Sequence, residues 1–455
     1  MTFVPLGSIF IAFAVLAAAP SLAKDHLAGR LDANAAPMFR SDGPGGVVLV
    51  AKNGEPVLRA AYGMADIALG IAMRPDHAFK IASLTKQFTA VAILQLASQG
   101  QIALGDDVRD YVPGFDTQGR RTSIEHILTH TSGLPNLVDR DDFPTLSQQE
   151  HALEQLLRLT DGMAFHFEPG MGFRYSDSGY ILLGAVIERV SGVAYGDYIE
   201  KNIFRPFGLH ESCDADVGPC ASRLAKGYEL RDGKPVEAQY ISMSVAHAAG
   251  GIVSTAGDLL RWHLALRAGD VVPEELLARA WTGRALPDGT LSGYGFGWQI
   301  CTLAGERTIE HGGFINGFTA NAIMMPDAGL DVIVLVNNGS DAPAAGTVAR
   351  RLARLAITGT PEPSVSILTG EQRIALTGRY DKAKGGWLDV FDRDGTLYVA
   401  RDGGQPRALA ALSPTTLTAV DGDEEIAYDF ELGPDGKARK LRTSLRCEPV
   451  DTAQR

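Results

Sequence analysis

Ser83-Leu84-Thr85-Lys86 places a hydroxyl and an amine three residues apart. A serine hydroxyl is a weak nucleophile at neutral pH and needs a neighbouring base. On a helix, a lysine three residues on lies on the same face, one turn along. If that lysine is desolvated, or set among other cations, its pKa falls and its neutral amine can take the serine proton. Nucleophile and base would then share four residues. The spacing alone is uninformative, because Ser21-Leu22-Ala23-Lys24 repeats it. Without further support, Ser83 would read as a helix N-cap and Lys86 as a solvated cation.

Three other stretches supply that support. Tyr175-Ser176-Asp177-Ser178-Gly179-Tyr180 sits on a loop that leads into a helix, and His311-Gly312-Gly313-Phe314 sits at a strand edge. The paired glycines there favour close approach of a ligand to backbone. His130-Thr131-Ser132-Gly133-Leu134-Pro135 closes a helix. Tyr195-Gly196-Asp197 also fits Tyr-x-Asp, but order along the chain and the following helix favour Tyr175. Asp177 reads equally well as a cap for a helix starting at Ser178. Trp298 and Phe314 read either as pocket lining or as packing. His126 and His130 lie four apart, yet no third ligand accompanies them, so no metal is expected there, and a serine acyl-enzyme needs no organic cofactor. No serine has glycine two residues away on both sides, which excludes the α/β-hydrolase elbow.

The elements that must position these groups follow from pattern. Apolar runs Gly45 to Ala51 and Pro56 to Ala61 flank Asn53-Gly54, a hairpin signal. Ser83 to Ser98 reads as a helix that is apolar nearly all round, hence buried, with Ser83 at its N-terminus. Free backbone N–H groups there favour a developing oxyanion and disfavour a protonated lysine. Thr122-Ser123-Ile124-Glu125 reads as a capping box opening a helix that ends near His130. Further helices are expected over Ser178 to Val190, Asp258 to Arg267 and Ala344 to Ile357, the last started by Pro343. Strands are expected over Gly295 to Cys301, Phe318 to Met325 and Asp331 to Asn337. Terminal strands can complete one antiparallel sheet while the middle builds a helical subdomain, an α+β fold. Residues 358–369 read as a linker. Residues 370–455 read as a small all-β, barrel-like module, because short strands recur around Asp394-Gly395 and Asp435-Gly436 turns.

Taken together, the stretches resemble the penicillin-recognising serine hydrolases: class C β-lactamases, serine D,D-peptidases and related esterases and D-aminopeptidases. That family carries S-x-x-K, then Y-x-N, then a K-T-G-like triplet. Here they stand as Ser83-Leu84-Thr85-Lys86, Tyr175-Ser176-Asp177 and His311-Gly312-Gly313. Ile127 to Pro135, Ala249 to Thr255 and Tyr294-Gly295-Phe296-Gly297-Trp298 are similar to the same family, and the resemblance runs from about residue 25 to 357. It implies a β-lactamase/transpeptidase-like domain over 24–357. It also implies Ser83 as the acylated nucleophile, Lys86 as its base and Tyr175 as the proton relay. The oxyanion hole would be the backbone N–H groups of Ser83 and Phe314, with Asp177, His311 and Gly313 on the substrate side. Two departures bear on substrate. His311 replaces a fixed lysine cation and would be only partly charged at pH 7. Asp177 replaces asparagine, has no N–H to offer, and would raise the pKa of Lys86. Both favour a neutral ester or amide over an anionic β-lactam or peptide terminus. A β-lactamase or D,D-carboxypeptidase is the alternative within enzymes, and a non-catalytic penicillin-binding-like regulator the alternative outside them.

Composition sets the remaining bounds. The chain has 455 residues, 45% of them hydrophobic and 21% charged, enough for a large core. A formal net charge of −12 argues against nucleic acid and leaves small esters, amides, β-lactams or short peptides as partners. Residues 1–23 read as a secretory signal with cleavage after Ala23, although no Lys or Arg precedes the apolar run, and an uncleaved anchor is the rival. Export to the periplasm or beyond follows, with cell-wall or membrane proximity open. In such an oxidising compartment Cys213 and Cys220 read either as a local disulfide or as two buried thiols. Oligomeric state is not legible.

Overall fold

The computed structural model describes residues 18–214, 218–287, 291–340, 344–361, 367–382, 386–411, 413–421, 424–445 and 451–454. Residues 1–17 of the expected leader, Pro343, residues 362–366 of the expected linker and Cys447 lie outside them. Helix α1 (Ala18–Ala35) precedes a hairpin of β1 (Gly46–Lys52) and β2 (Glu55–Tyr62). Strand β3 (Phe79–Lys80) runs through a 3-10 turn, Ala82–Leu84, into α2 (Thr85–Ser98). Helices α3 (Ile124–Leu128) and α4 (Asp177–Ser191) belong to the helical middle. There follow β4 (Cys213–Asp214), α5 (Met243–Gly250), β5 (Ile252–Ser254) and α6 (Ala256–Ala268). The segment closes with β6 (Gln299–Leu303), β7 (Glu306–Ile315), β8 (Phe318–Met325), β9 (Leu330–Val336) and α7 (Ala345–Thr358). Among the described residues no helix is long and apolar enough to cross a membrane.

The main sheet has the order β6-β7-β8-β9-β1-β2, antiparallel throughout. The hairpin closes where Asn53-Gly54 stands, with Lys52 opposite Glu55. Strands β1, β8 and β9 are buried at nearly every position and largely apolar, because both faces of the sheet are covered. Val47, Leu49, Ile333 and Leu335 face a core with Phe88 of α2 and Trp262 of α6. Their neighbours Val48, Val50, Val332 and Val334 face the opposite core, with Leu31 of α1 and Val348 and Leu352 of α7. Burying each such side chain contributes about 1.5–3 kcal/mol.

One buried ion cluster ties α6 to the sheet. Asp331 on β9 is fully buried and accepts hydrogen bonds from Arg267 at 2.6 and 2.7 Å and from His263 Nδ1 at 3.0 Å. These partners hold its carboxyl below the usual range despite burial. The lowered pKa means this stabilisation is complete above the unfolded value of about 3.9 and is lost as pH falls through the lower folded value. Asp331→Asn leaves Arg267 without its carboxylate. It is expected to cost about 3–5 kcal/mol at pH 7, read as a lower urea midpoint.

The C-terminal strands form a sheet of nine, from Gly378–Lys382 to Asp451–Gln454. Its two outermost strands, Arg407–Ala408 and Ala410–Ala411, are joined through Leu409, so the sheet curls back on itself. Tyr380, Leu388, Val390, Val399, Phe430 and Leu441 fill its interior. A short helix, Gly370–Leu376, precedes it with a capping box of Thr369 and Gln372, which the strand pattern did not anticipate.

Four local expectations shift. β6 begins at Gln299 rather than Gly295, because Gly295-Phe296-Gly297-Trp298 turns: the Gly295 N–H donates to the Trp298 carbonyl at 2.8 Å. Ser123, not Thr122, caps α3, and His126 rather than Glu125 closes the box. That helix ends at Leu128, since His130 has a left-handed φ of 56°. Asp177 is the first residue of α4 and not its cap; Ser176 caps it, its hydroxyl accepting from the Gly179 N–H at 3.2 Å.

Candidate active site

The segment carrying Ser83 is held from two sides. The Ile81 N–H donates to the Ile252 carbonyl at 3.0 Å, and the Ile252 N–H donates to the Thr85 hydroxyl at 3.1 Å. Ala82 then takes a left-handed φ of 49°, a conformation that costs a Cβ-bearing residue about 1–2 kcal/mol. Ser83 follows in the 3-10 turn, partly exposed, with Leu84 rather than Ser83 at the cap position of α2. Strand β7 approaches from the other side at Gly313. A Cβ there would lie 2.3 Å from the Ile81 carbonyl oxygen, so only glycine permits this approach. Phe314 follows with its side chain 66% exposed.

Lys86 is wholly buried on the first turn of α2. Its Nζ lies 3.1 Å from Ser83 Oγ, 2.7 Å from Asp177 Oδ1 and 2.8 Å from the Ala249 carbonyl oxygen. It also stands 4.7 Å from the centre of the Tyr175 ring. Burial drives the Lys86 pKa below its ordinary value, and Asp177 opposes this without cancelling it. Asp177 therefore pulls in the expected direction, but desolvation wins. Ala249 contributes only through backbone. Its helix α5 breaks at His247, whose φ and ψ are 37° and −135°. The Thr89 hydroxyl fixes the neighbouring Ala248 carbonyl at 2.6 Å. Gly297 completes the enclosure: it has a φ of 83°, and a Cβ there would lie 2.6 Å from the Lys86 carbonyl oxygen.

Tyr175 lies between His130 and His311, at ring-centre distances of 4.3 and 6.1 Å. His311 is buried on β7. Its Nδ1–H donates to the Gly312 carbonyl at 2.5 Å, which leaves Nε2 to accept from the Tyr294 hydroxyl at 2.9 Å. Burial, reinforced by Lys86, pushes the His311 pKa down to about 3. The expectation of partial charge at pH 7 is thus corrected: this position presents a neutral imidazole. The side-chain resonances of His311, assigned with His311→Gln, should stay flat between pH 5 and 8; a midpoint near 6.5 would contradict the neutral pair with Tyr294.

The structure brings Ser83, Lys86, Tyr175, Asp177, His311, Gly313 and Phe314 together beside strand β7. Trp298 is buried against Trp281 and packs rather than lining an opening. His126 and His130 are engaged with backbone, accepting from the N–H groups of Ser123 and Ser176. Among the described residues no group of three metal-ligating side chains gathers. Cys213 and Cys220 form a disulfide beside β5, and Cys301 is also disulfide-bonded. Sequence reasoning gave no role to Tyr294 or to the Ala249 carbonyl, although both stand in stretches that resemble the family.

A serine, a buried lysine and a tyrosine gathered beside an antiparallel sheet define a serine hydrolase of the β-lactamase fold. Residues 25–357 match the Beta-lactamase family, and the chain belongs to it. It is 28% identical over 313 residues to penicillin-binding protein 4* of Bacillus subtilis (strain 168), spanning 65% of this chain and 68% of that protein. It is similar to the crystal structure of a penicillin binding protein from Bacillus halodurans, at 30% identity and a TM-score of 0.59, over 69% of this chain and 95% of that one. Likeness of fold extends further to the octameric penicillin-binding protein homologue from Pyrococcus abyssi, at 23% identity and a TM-score of 0.64, over 94% and 99% of the two chains.

Proposed function

We propose that the protein hydrolyses a neutral ester or amide through an acyl-enzyme on Ser83. The observation that carries this is the threefold coordination of Lys86 Nζ by Ser83, Asp177 and the Ala249 carbonyl. A neutral amine has two N–H groups and one lone pair. Two of the three contacts are acceptors that take the N–H groups, so the lone pair is left for the Ser83 hydroxyl proton. Burial favours that neutral form. Ser83 Oγ bonds to the acyl carbon while its proton passes to Lys86. The leaving group departs with a proton delivered through Tyr175, which then activates water to release the acid. The N–H groups of Ser83 and Phe314 hold the oxyanion, and such donors contribute about 2.7–4 kcal/mol each.

Selectivity follows from charge. A neutral His311 offers no fixed cation to a substrate carboxylate, and Asp177 offers a negative charge where a donor would serve an amide carbonyl. The Cys213–Cys220 disulfide and the apolar N-terminal run support an exported protein. The test is intact-mass detection of an acyl adduct, with kcat/KM measured on short-chain aryl esters, D-aminoacyl amides and a cephalosporin. Esters or amides are expected to lead. A cephalosporin turned over with far higher kcat/KM would identify a β-lactamase instead, and no adduct with any probe would identify a silent binding protein.

A further inference from the structure

We propose that His130 is a positioning residue for Tyr175. This rests on the reading of Tyr175 as the proton relay. One residue grips three in a row: the His130 carbonyl accepts from the Arg174 N–H at 2.9 Å, its ring lies 4.3 Å from the Tyr175 ring, and its Nδ1 accepts from the Ser176 N–H at 3.1 Å. The loop is anchored further back by the same stretch. Thr131 and Gly133 carbonyls accept from the N–H groups of Gly170 and His166, at 2.7 and 2.9 Å. The left-handed φ of 56° at His130 is what lets its carbonyl and its side chain reach the same loop.

Two physical features make His130 suited to the task. It is 1% exposed, and burial keeps it neutral, so Nδ1 stays an acceptor for the Ser176 N–H. Ser176 also caps α4, whose first residue, Asp177, holds Lys86. His130 therefore sets the phenol directly and reaches the lysine through one further residue. These contacts are with the loop that carries Tyr175, so the effect of His130 passes through the groups it holds.

The test uses the full chain and a short-chain aryl ester. His130→Asn keeps an acceptor atom near Nδ1 and tolerates the left-handed backbone, but removes the ring that packs on Tyr175. It is expected to lower kcat by about 10²-fold, the effect of displacing a reacting group by about 1 Å, with KM within about threefold of wild type. His130→Gln is the second variant, should the thermal unfolding curve show that His130→Asn does not fold. The double variant with Tyr175→Phe decides the matter: if His130 acts through Tyr175, the pair loses no more than Tyr175→Phe alone. Losses that multiply, or a His130 variant with wild-type kcat, overturn the proposal while the relay reading stands. A Tyr175→Phe enzyme with wild-type kcat overturns the relay reading and this proposal with it.

Discussion

Ser83→Ala is expected to lower kcat by about 10³- to 10⁶-fold and to abolish the acyl adduct, with little change in stability. The size follows from the chemistry: without Oγ no covalent intermediate forms, and only binding and the oxyanion donors remain to act on water. The small effect on stability follows from the geometry. The Ser83 side chain is partly exposed, and its hydroxyl is one of three partners of Lys86. Its loss leaves the lysine held by Asp177 and the Ala249 carbonyl, so no buried polar group is orphaned and the change should stay within about 0.5 kcal/mol. The chain carries its own control. Ser21 has the same spacing to Lys24, but it precedes residue 25, where the family match begins. Ser21→Ala should label and turn over as wild type does. An adduct that survives in Ser83→Ala, or one that vanishes in Ser21→Ala, would remove Ser83 from the centre of the mechanism.

The elements were legible where local pattern decides them. The Asn53-Gly54 turn and the apolar runs beside it gave the hairpin, and Phe318 to Met325 gave β8 to the residue. The tetrapeptide, Tyr175-x-Asp177 and His311-Gly312-Gly313 were visible because each is a short contiguous string. What escaped the sequence is convergence and desolvation. His130 was visible as the start of a family-like stretch four residues after His126, whereas its grip on Arg174, Tyr175 and Ser176 spans more than forty residues. The charge of His311 could not be read from its type, since its pKa is set by burial, by Lys86 and by the Gly312 carbonyl, none of them properties of its own position in the string. The Ala249 carbonyl has no side-chain signature at all. Only the resemblance of Ala249 to Thr255 to the family marked its surroundings; within that stretch Gly251 is required because a Cβ there would lie 2.7 Å from the His247 carbonyl oxygen.

Lys86→Met should lower kcat/KM by about 10³-fold while the chain still folds, and it separates the two carriers of protons in the site. Methionine fills the channel that the lysine stem occupies, so packing around α2 is kept. The Asp177 carboxylate loses its lysine N–H donor but remains 28% exposed, so water can replace the contact. The Ala249 carbonyl is buried and loses its donor, for which a cost of about 1–3 kcal/mol is expected. Removing the base removes about 10²–10⁴-fold of general-base catalysis, and it should slow labelling by a fluorophosphonate as well as turnover, because both need a deprotonated Ser83. The pH profile identifies the base. Activity should rise with pH as Lys86 deprotonates, on a limb below the ordinary lysine value because burial lowers its pKa. Asp177 acts in the opposite sense, so Asp177→Asn should move that limb to lower pH, and Lys86→Met should erase it. If Lys86→Met instead keeps the limb, the group that titrates is not the lysine, and proton removal from Ser83 passes to Tyr175, whose ring lies 4.7 Å from the same nitrogen.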